Sequence, residues 1–504
     1  MLRKIRLTCA VVVFVLITGL FLDFTGTLHA WLGWLAKIQF LPAVLALNVG
    51  VVLALVILTL VFGRIYCSVI CPLGIFQDVV SWISGRRKKK KYRFSYSPAK
   101  TWLRYGVLAV FIVAMIAGVG SLVALLAPYS AYGRIAQNLF APIYIWGNNA
   151  LAYVAERADS YAFYGRDVWL RSLPTFIIAA VTFVVLIVLA WRDGRTYCNT
   201  ICPVGTVLSF LARFSWFKIH IDESKCNKCG LCARSCKAAC IDSKNHAVDY
   251  SRCVVCGNCV DKCRQHAISF VHASKSVAEK PQTEKPADNN ADASVDKTRR
   301  TFFVGAALAT ATAALAQEKK KVDGGLAAIE DKIAPKRSTP LTPPGSISAN
   351  NMAGHCTACQ LCVAACPNDV LRPSTDLMKL MQPTMSYERG YCRPECTKCS
   401  EVCPAGAICP ITRAEKSSTQ IGHAVWIKKN CVPLTDGVEC GNCARHCPSG
   451  AITMIPSDAS NPDSPKIPAV NTERCIGCGA CENLCPARPF SAIYVEGHEM
   501  HRTV

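Results

Sequence analysis

Residues 63–74 read GRIYCSVICPLG, and residues 194–205 read GRTYCNTICPVG. Both fit the pattern G-R-x-Y-C-x-x-I-C-P-x-G, and each follows a long apolar run. An internal repeat of this length indicates two copies of one structural unit, here a pair of helices. The spacing predicts that both thiols of a pair lie on one face of a helix. The proline after the second cysteine limits how that helix continues.

Four uncharged apolar runs accompany the repeats, and each is a candidate membrane-spanning helix. Basic residues before the first run (Arg3, Lys4, Arg6) and after the second (Arg86 to Arg93) place both flanks in the cytoplasm, because positive residues stay on that side of short loops. The predicted membrane domain, residues 1–215, therefore has four transmembrane helices as two repeats, with an aromatic outer loop at 128–172. The runs are Leu7–Leu22, Phe40–Phe62, Tyr105–Ala127 and Leu173–Trp191.

Both cysteine pairs fall at the cytoplasmic edge of this predicted domain. Four thiols from two related helix ends could close one iron or iron–sulfur centre. Buried thiols beside a quinone pocket and a redox dithiol are the open alternatives. Arg64 and Arg195 are predicted to be interfacial anchors rather than chemical groups. The four cysteines are Cys67, Cys71, Cys198 and Cys202.

Residues 216–272 are a predicted cytoplasmic ferredoxin with two cysteine runs. Each run has the spacing C-x2-C-x2-C-x3-C, in which three thiolates hold one [4Fe–4S] cluster and the fourth ligates the neighbouring cluster. Zinc sites use separated pairs, which argues against zinc. Lys237 and Arg264 stand where a proline usually follows the fourth cysteine, and Cys240 is close enough to compete with Cys236. The two ligand sets are Cys226, Cys229, Cys232 and Cys263, and Cys253, Cys256, Cys259 and Cys236.

Residues 273–298 lack an apolar period and are rich in charged residues, Asn, Ala and Pro, which predicts a flexible linker. Residues 299–317 begin with Arg299-Arg300 and continue as a short apolar run, which is typical of a Tat export signal. The Tat route exports folded proteins. A domain with oxygen-sensitive clusters requires such a route, because its clusters must be loaded in the cytoplasm before export. Cleavage after Ala316 would separate the halves, whereas retention would add a fifth transmembrane crossing. A buried or amphipathic helix is the alternative.

After a spacer at 318–350, residues 351–504 are a predicted periplasmic domain with four more cysteine groups. A proline follows the last cysteine of each group, which is the bacterial ferredoxin pattern four times over. This spacing argues against disulfides, the alternative in an oxidising compartment. Adjacent pairing of the groups and nested pairing (first with fourth, second with third) both stay open. The groups are Cys356, Cys359, Cys362 and Cys366; Cys392, Cys396, Cys399 and Cys403; Cys431, Cys440, Cys443 and Cys447; and Cys475, Cys478, Cys481 and Cys485.

The chain has 504 residues, of which 51% are hydrophobic and 31 are cysteine. Its length suits three or four units, and its cysteines exclude an ordinary cytosolic enzyme or a short disulfide scaffold. The formal charge of +22 falls to about +10 once six clusters and their thiolates are counted, which argues against nucleic-acid binding. The sequence has no Rossmann, P-loop or c-haem motif, so it predicts electron transfer rather than bond chemistry.

The first 272 or so residues resemble NapH-type membrane ferredoxins, which combine four helices, two C-x3-C-P repeats and a cytoplasmic two-cluster domain. The remainder resembles NapG/MauM-type ferredoxins, which carry a Tat signal and four cluster motifs. The chain therefore looks like a fusion of the two. NosR-type and CcoG-type proteins share the C-P repeats. The fold class implied is an α-helical membrane domain plus α+β bacterial-ferredoxin-like iron–sulfur domains.

The resemblance implies a quinol dehydrogenase of the bacterial inner membrane with six [4Fe–4S] clusters. It would take quinol from the quinone pool and pass electrons to a periplasmic c-type cytochrome or reductase of nitrate respiration. A base for quinol oxidation should be titratable and near the membrane boundary, and Asp23, His29 and Asp78 qualify by position. Two alternatives stay open: a metal-reducing assembly or regulatory protein, and an electron-relay subunit of a molybdoenzyme complex.

Overall fold

A computed structural model describes residues 2–86, 94–272 and 330–503. These form three parts: an N-terminal helical unit (2–215), a central ferredoxin domain (216–272) and a C-terminal ferredoxin domain (330–503). The predicted linker at 273–298 and export signal at 299–317 lie outside the described residues. So do most of the basic run after Arg86 and the first part of the predicted spacer.

The first half of the helical unit begins with one long helix and continues with shorter ones. The long helix has 21 residues and is about 31 Å long, which matches the hydrocarbon core of a bilayer. The predicted span at 40–62 is broken, because Leu47 has a positive φ of 51° and the Asn48 side chain caps the next helix by accepting from the N–H of Val51. The helices are α1 (Leu2–Leu22), α2 (Thr27–Leu32), α3 (Trp34–Lys37), α4 (Phe40–Leu45), α5 (Val49–Phe62), α6 (Tyr66–Val69) and α7 (Pro72–Gly85).

The second half contains another long helix and a similar break. The predicted span at 105–127 is interrupted at Gly118, whose φ of 71° suits glycine and ends the helix before it. The region 128–172, predicted as an outer loop, is helical from Pro128 to Arg157. The elements are α8 (Thr101–Ile116), α9 (Gly120–Leu126), α10 (Pro128–Ile135), a π-helix (Ala136–Phe140), α11 (Ala141–Arg157), α12 (Leu173–Asp193), α13 (Thr196–Thr200) and α14 (Pro203–Ala212).

Two helices in the described ranges are long and apolar enough to cross a membrane, Arg3–Leu22 and Leu173–Asp193. Only 28% and 33% of their most apolar windows are buried, which is unlike a core helix of a soluble protein. Exposed apolar side chains continue on α5 and α8, where Ile57 is 58% and Val113 is 64% exposed. The first and fourth predicted spans are therefore continuous helices, whereas the second and third each consist of two shorter ones.

The central ferredoxin domain pairs short antiparallel strands around two helices and packs against the start of α1. Arg3 forms an ion pair of 2.5 Å with Asp261, and the backbone N–H of Trp216 donates to the carbonyl oxygen of Leu60 at 2.8 Å. The pairs are β1 (Phe217–Ile221) with β4 (Ile268–His272) and β2 (Ile241–Asp242) with β3 (Ala247–Val248), and the helices are α15 (Leu231–Ser235) and α16 (Asn258–Lys262).

The C-terminal ferredoxin domain packs against the other end of α1. The Nζ of Lys398 donates to the carbonyl oxygen of Thr25 at 3.1 Å, three residues beyond the end of the helix. Its antiparallel pairs are β5 (Leu371–Pro373) with β6 (Pro383–Met385), β7 (Thr419–Trp426) with β10 (Ile493–Thr503), and β8 (Ile452–Asp458) with β9 (Asn461–Val470). Its α-helices are Ala349–His355, Leu361–Ala365, Lys398–Val402, Arg413–Ser418, Val432–Thr435, Asn442–Arg445 and Ala480–Leu484, with a 3-10 turn at Lys428–Asn430.

Candidate iron–sulfur centres

Four cysteine side chains from the two repeats come together inside the helical unit. The thiol of Cys71 interacts electrostatically with that of Cys198 in the other repeat, and the thiol of Cys202 does so with those of Cys67 and Cys71. All four cysteines are 4–5% exposed. The structure thus places both predicted pairs at one buried position.

Two arginines join the repeats in a crossed arrangement. Arg64 donates to the carbonyl oxygen of Cys198 at 3.1 Å, and Arg195 donates to the carbonyl oxygen of Cys67 at 2.6 Å. Both arginines are buried, with exposed fractions of 0% and 1%, because protein acceptors replace water around the guanidinium groups. The prediction that they are interfacial anchors is therefore wrong.

The two cysteines of a pair do not share one continuous helix, as the spacing predicted. Cys67 lies in α6, whereas Cys71 precedes the proline that begins α7. The motif glycine packs against this junction. A Cβ on Gly74 would lie 2.3 Å from the carbonyl oxygen of Cys67, and one on Gly205 would lie 2.4 Å from that of Cys198. Each repeat therefore needs glycine at this position because two backbones approach closely.

Hydrogen-bond donors point at the sulfur atoms of this centre. The Nε2 of Gln77 lies 3.1 Å from the Sγ of Cys198, and the N–H of Gly205 lies 3.3 Å from the Sγ of Cys202. Sequence reasoning missed Gln77, because Leu208 occupies the equivalent position in the second repeat. Among the described residues no group of three His, Cys, Asp or Glu side chains is close enough to hold one metal ion. Four thiols with neighbouring hydrogen-bond donors are the donor type that iron and iron–sulfur centres use.

The central ferredoxin domain contains a cavity of about 350 Å³ lined by five cysteines. Cys236 of the first run lies there with the first three cysteines of the second run, and the crossed ligand sets stay a prediction. Cys240 lines the same cavity, with its Sγ 3.5 Å from that of Cys236, so it is placed to donate to that ligand or to replace it. In the other predicted set, Cys232 lies near Cys226 and Cys229. The five lining cysteines are Cys236, Cys240, Cys253, Cys256 and Cys259.

The C-terminal ferredoxin domain pairs its cysteine groups as neighbours. A cavity of about 380 Å³ combines Cys366 of the first group with three cysteines of the second. A cavity of about 320 Å³ combines Cys485 of the fourth group with three cysteines of the third. Reciprocally, Cys403 lies near the first three cysteines of the first group, and Cys447 lies near Cys475 and Cys478. The structure therefore favours adjacent over nested pairing.

The thiols of these cavities suit a cationic metal cluster. Burial raises the pKa of Cys359 and of Cys443 to about 11 and that of Cys478 to about 12. Without metal these thiols would be protonated at neutral pH, whereas cluster ligation requires thiolates, whose charge iron offsets. The donor type and the four-thiol sets fit [4Fe–4S] clusters.

Lys416 is a further charged group at one of these cavities. It is 4% exposed and lines the cavity of the second cysteine group. Its Nζ donates to the carbonyl oxygen of Arg393 at 2.6 Å and to that of Cys396, and it interacts electrostatically with Cys392. Sequence reasoning missed it because it lies outside the cysteine motif, and we found no local signal for its burial.

The first cysteine group lies directly against the helical unit. A Cβ on Gly133 of α10 would lie 2.4 Å from the carbonyl oxygen of Cys359, so the two backbones are in close contact. Arg166 and Arg171, from the segment before α12, form ion pairs of 3.2 and 3.3 Å with Asp369. The cysteine set that includes Cys359 and Cys403 therefore lies against the surface of the helical unit.

Two of the three positional candidates for a quinol base lie at the end of α1. The Nδ1 of His29 is 3.0 Å from the carboxylate of Asp23, and the side chains are 6% and 3% exposed. Burial raises the pKa of Asp23, but hydrogen bonds from His29, Thr25 and the backbone outweigh it and hold that pKa below its usual range. The Nε2 of His29 is buried and has no hydrogen-bond partner among the described residues.

The third candidate, Asp78, is already engaged by three cations. Arg195 lies 2.9 Å from its carboxylate, Arg6 3.2 Å and Lys237 3.5 Å. These residues come from the second repeat, α1 and the central ferredoxin domain. Asp78 therefore connects three parts of the molecule and is poorly placed to accept a proton from a substrate.

Comparisons with known proteins agree with these sites. A family model described as "4Fe-4S binding domain" matches residues 44–91 and 174–222, which include the two membrane cysteine pairs. Two models described as "4Fe-4S dicluster domain" match residues 249–370 and 438–488. No solved structure matches.

Several curated relatives are ferredoxin-type proteins. The protein named NapG of Escherichia coli is 32% identical over 177 residues, which is 32% of this chain and 75% of the relative. This chain belongs to the NapG and MauM family of ferredoxin-type proteins. The MauM protein of Methylobacillus flagellatus, named for methylamine utilization, is 30% identical over 32% of this chain and 70% of its own length. The NapF protein of Escherichia coli is 29% identical over 32% of this chain and 90% of its own length.

The NapG and MauM relationship confirms two sequence-based predictions. The chain contains 4Fe-4S ferredoxin-type domains, and its function is iron–sulfur electron transfer. The predicted resemblance to NapG/MauM-type ferredoxins is confirmed as well.

Proposed function

We propose that this protein is a quinol dehydrogenase of the bacterial inner membrane, in which a NapH-type half and a NapG-type half are fused. It takes electrons from membrane quinol and passes them through the [4Fe–4S] clusters of its C-terminal domain to a periplasmic redox partner, such as a c-type cytochrome of nitrate respiration. The contact between Gly133 and Cys359 carries the proposal, because it holds a ferredoxin-type centre against apolar helices where a lipid-soluble donor is available.

The arrangement of the two ferredoxin domains supports opposite locations for them. The central domain contacts Arg3 at the start of α1, and the C-terminal domain contacts Thr25 just beyond its end. The helix between these contacts is about as long as the hydrocarbon core is thick. By the positive-inside rule, the central domain is cytoplasmic and the C-terminal domain periplasmic, as export by residues 299–317 would require.

Quinol oxidation requires a group that removes protons beside a centre that removes electrons. The Asp23–His29 pair supplies a candidate for the first requirement, because Asp23 orients the imidazole and its buried Nε2 has no partner among the described residues. The pair lies in the same region as the C-terminal domain, whose Lys398 contacts the carbonyl oxygen of Thr25. In this proposal His29 accepts a quinol proton, and the electrons enter the cysteine set that includes Cys359 and Cys403.

The thiols of Cys67, Cys71, Cys198 and Cys202 would hold one further iron or iron–sulfur centre at the membrane edge. Their burial, their neighbouring donors and the family-model match support this assignment. The same four thiols favour a second candidate function, that of a metal-reducing assembly or regulatory protein, because thiolates hold soft metal ions. That function predicts reduction of metal ions and little quinol turnover.

The test is anaerobic purification of the full chain followed by mixing with a reduced menaquinol analogue. Cluster reduction is followed by EPR and optical bleaching, and iron is determined on the same sample. We expect rapid reduction and about 24 irons per chain, or more if the membrane thiols also bind iron. Full iron loading with no reduction by quinol, but with turnover of metal ions, would instead support the second candidate.

A further inference from the structure

A wide groove lies at the start of α1. It has about 2100 Å³ of space open to solvent and lies between α1, α7 and the central ferredoxin domain. Its apolar lining includes Leu7, Val11 and Trp82, which are 48%, 49% and 54% exposed. Polar and charged side chains share the lining, so the groove is amphipathic.

The lining of the groove carries an excess of positive charge. Five cationic side chains line the groove, and Asp78 is the one carboxylate in the lining. Asp78 is shared among three cations, of which Arg6 and Lys237 belong to the groove. The lining cations are Arg3, Arg6, Arg86, Lys237 and Lys262.

Three of these cations lack a full set of acceptors. Arg6 is 92% buried, since 8% of it is exposed, and its Nε has no hydrogen-bond partner in the described ranges. A buried, unpaired donor is costly unless an acceptor reaches it. Arg86 stacks on Trp82 at 4.0 Å, and neither Arg86 nor Lys262 has an acidic partner among the described residues. An anionic group with several oxygen acceptors would complete this set.

We propose that the groove binds an anionic phospholipid of the cytoplasmic leaflet. Its phosphate lies among Arg6, Arg86 and Lys262, and its acyl chains cover the exposed apolar side chains of α1 and α7. A basic pocket beside apolar helices is the usual form of such a site. A neutral quinol would satisfy neither the surplus charge nor the buried Nε. The proposal rests on the proposed membrane location and not on quinol oxidation.

The lipid would act as a bridge between domains. Arg6 and Arg86 belong to the helical unit, whereas Lys262 belongs to the central ferredoxin domain, so one phosphate contacts both. Because the site is complete only when the domain is docked, bound lipid stabilises the docked form by mass action. Lipid composition would thereby set how firmly the central domain is held against the membrane.

The experiment compares the full-length protein with the double variant Arg86→Gln/Lys262→Gln. The matched control is Arg192→Gln/Lys244→Gln, which removes one cation from a helix end and one from the central domain, both outside the groove. Each delipidated protein is titrated with phosphatidylglycerol in neutral detergent micelles. Bound lipid is counted by native mass spectrometry, and the thermal unfolding midpoint is recorded. We expect about one tightly bound phosphatidylglycerol in the parent and the control, and roughly 30-fold weaker binding in the groove variant.

Several outcomes would overturn this proposal. They are equal binding by the groove variant, equal stabilisation by phosphatidylcholine or by inorganic phosphate, and recovery of a quinone from the groove in place of phospholipid. Crosslinking of residues 273–329 into the groove would show that the chain itself fills it. Unfolding of the groove variant is recognised by loss of cluster absorbance, and Lys262→Gln alone then repeats the test. None of these readouts depends on quinol activity.

Discussion

Arg195 donates a hydrogen bond of 2.6 Å to the carbonyl oxygen of Cys67, 128 residues earlier in the chain. Arg64 makes the equivalent bond to Cys198. Each arginine of the repeated motif thus holds the cysteine of the other copy. Neither copy can form the four-thiol site alone, because each copy supplies only two of the four thiols.

Gly74→Ala is expected to separate the two halves of this arrangement. The added methyl would lie 2.3 Å from the carbonyl oxygen of Cys67 and 3.2 Å from Arg195, so the backbone must move. Overpacking of this kind costs about 1–3 kcal/mol. We expect a lower thermal unfolding midpoint and loss of any iron held by the four thiols, measured by calorimetry and iron analysis. Gly205→Ala should behave alike.

The matched control is Gly85→Ala in the same helix as Gly74. No atom lies within 4 Å of the position that its Cβ would occupy, so the change in stability should stay within about 0.5 kcal/mol. Equal effects of the Gly74 and Gly85 substitutions would contradict the crossed packing of the repeats.

The repeat shows what the sequence could predict here. The two copies and their thiols could be predicted because these features are local, whereas the spacing wrongly placed both thiols of a pair on one helix. The burial of Arg64 and Arg195 could not be predicted, since their acceptors belong to the distant copy. The helix breaks near Asn48 and Gly118 were missed because apolar runs at 40–62 and 105–127 satisfied the length rule for a span, although a capping residue and a glycine signalled the interruptions.

Adjacent pairing of the cysteine groups is tested by counting irons in double variants. In adjacent pairing, Cys447 and Cys475 ligate the same cluster, whereas Cys447 and Cys485 ligate two different clusters. We expect Cys447→Ala/Cys475→Ala to lose about four irons and Cys447→Ala/Cys485→Ala to lose about eight, from a total of about 24. Iron and protein are measured on the same anaerobic sample.

Nested pairing predicts a different result, because Cys447 and Cys475 would then serve separate clusters and their double variant would lose about eight irons. The single variants provide the control, since each should lose about four under either arrangement. The sequence could not decide this point. The spacing within a group fixes three ligands locally, but the fourth depends on how distant segments fold together.

Lys416 is expected to raise the reduction potential of the cluster bound by the second cysteine group. Its buried positive charge lies at the wall of that cavity, and nearby charge favours the reduced cluster. Lys416→Met keeps much of the stem but removes the charge. We expect that cluster's potential to fall by on the order of 60 mV, which is a tenfold change in the equilibrium constant for one electron, in an EPR-monitored titration.

The control is Lys398→Met, in the same cysteine motif but outside the cavity lining, which should leave that potential unchanged. A potential that stays constant in Lys416→Met would remove this role.

His29→Phe should slow reduction by quinol without affecting reduction by dithionite. The imidazole is oriented by Asp23 at 3.0 Å and its buried Nε2 has no partner among the described residues, and a positioned base contributes typically 10²–10⁴-fold to a rate. Stopped-flow mixing with the menaquinol analogue measures the first rate, and dithionite reports whether the clusters remain intact. His498→Gln, on β10 and far along the chain from α1, is the control and should react like the parent. An unchanged rate of reduction by quinol in His29→Phe would show that another group accepts the proton. It would not contradict the proposed electron path, because Asp23 and His29 are not proposed to carry electrons.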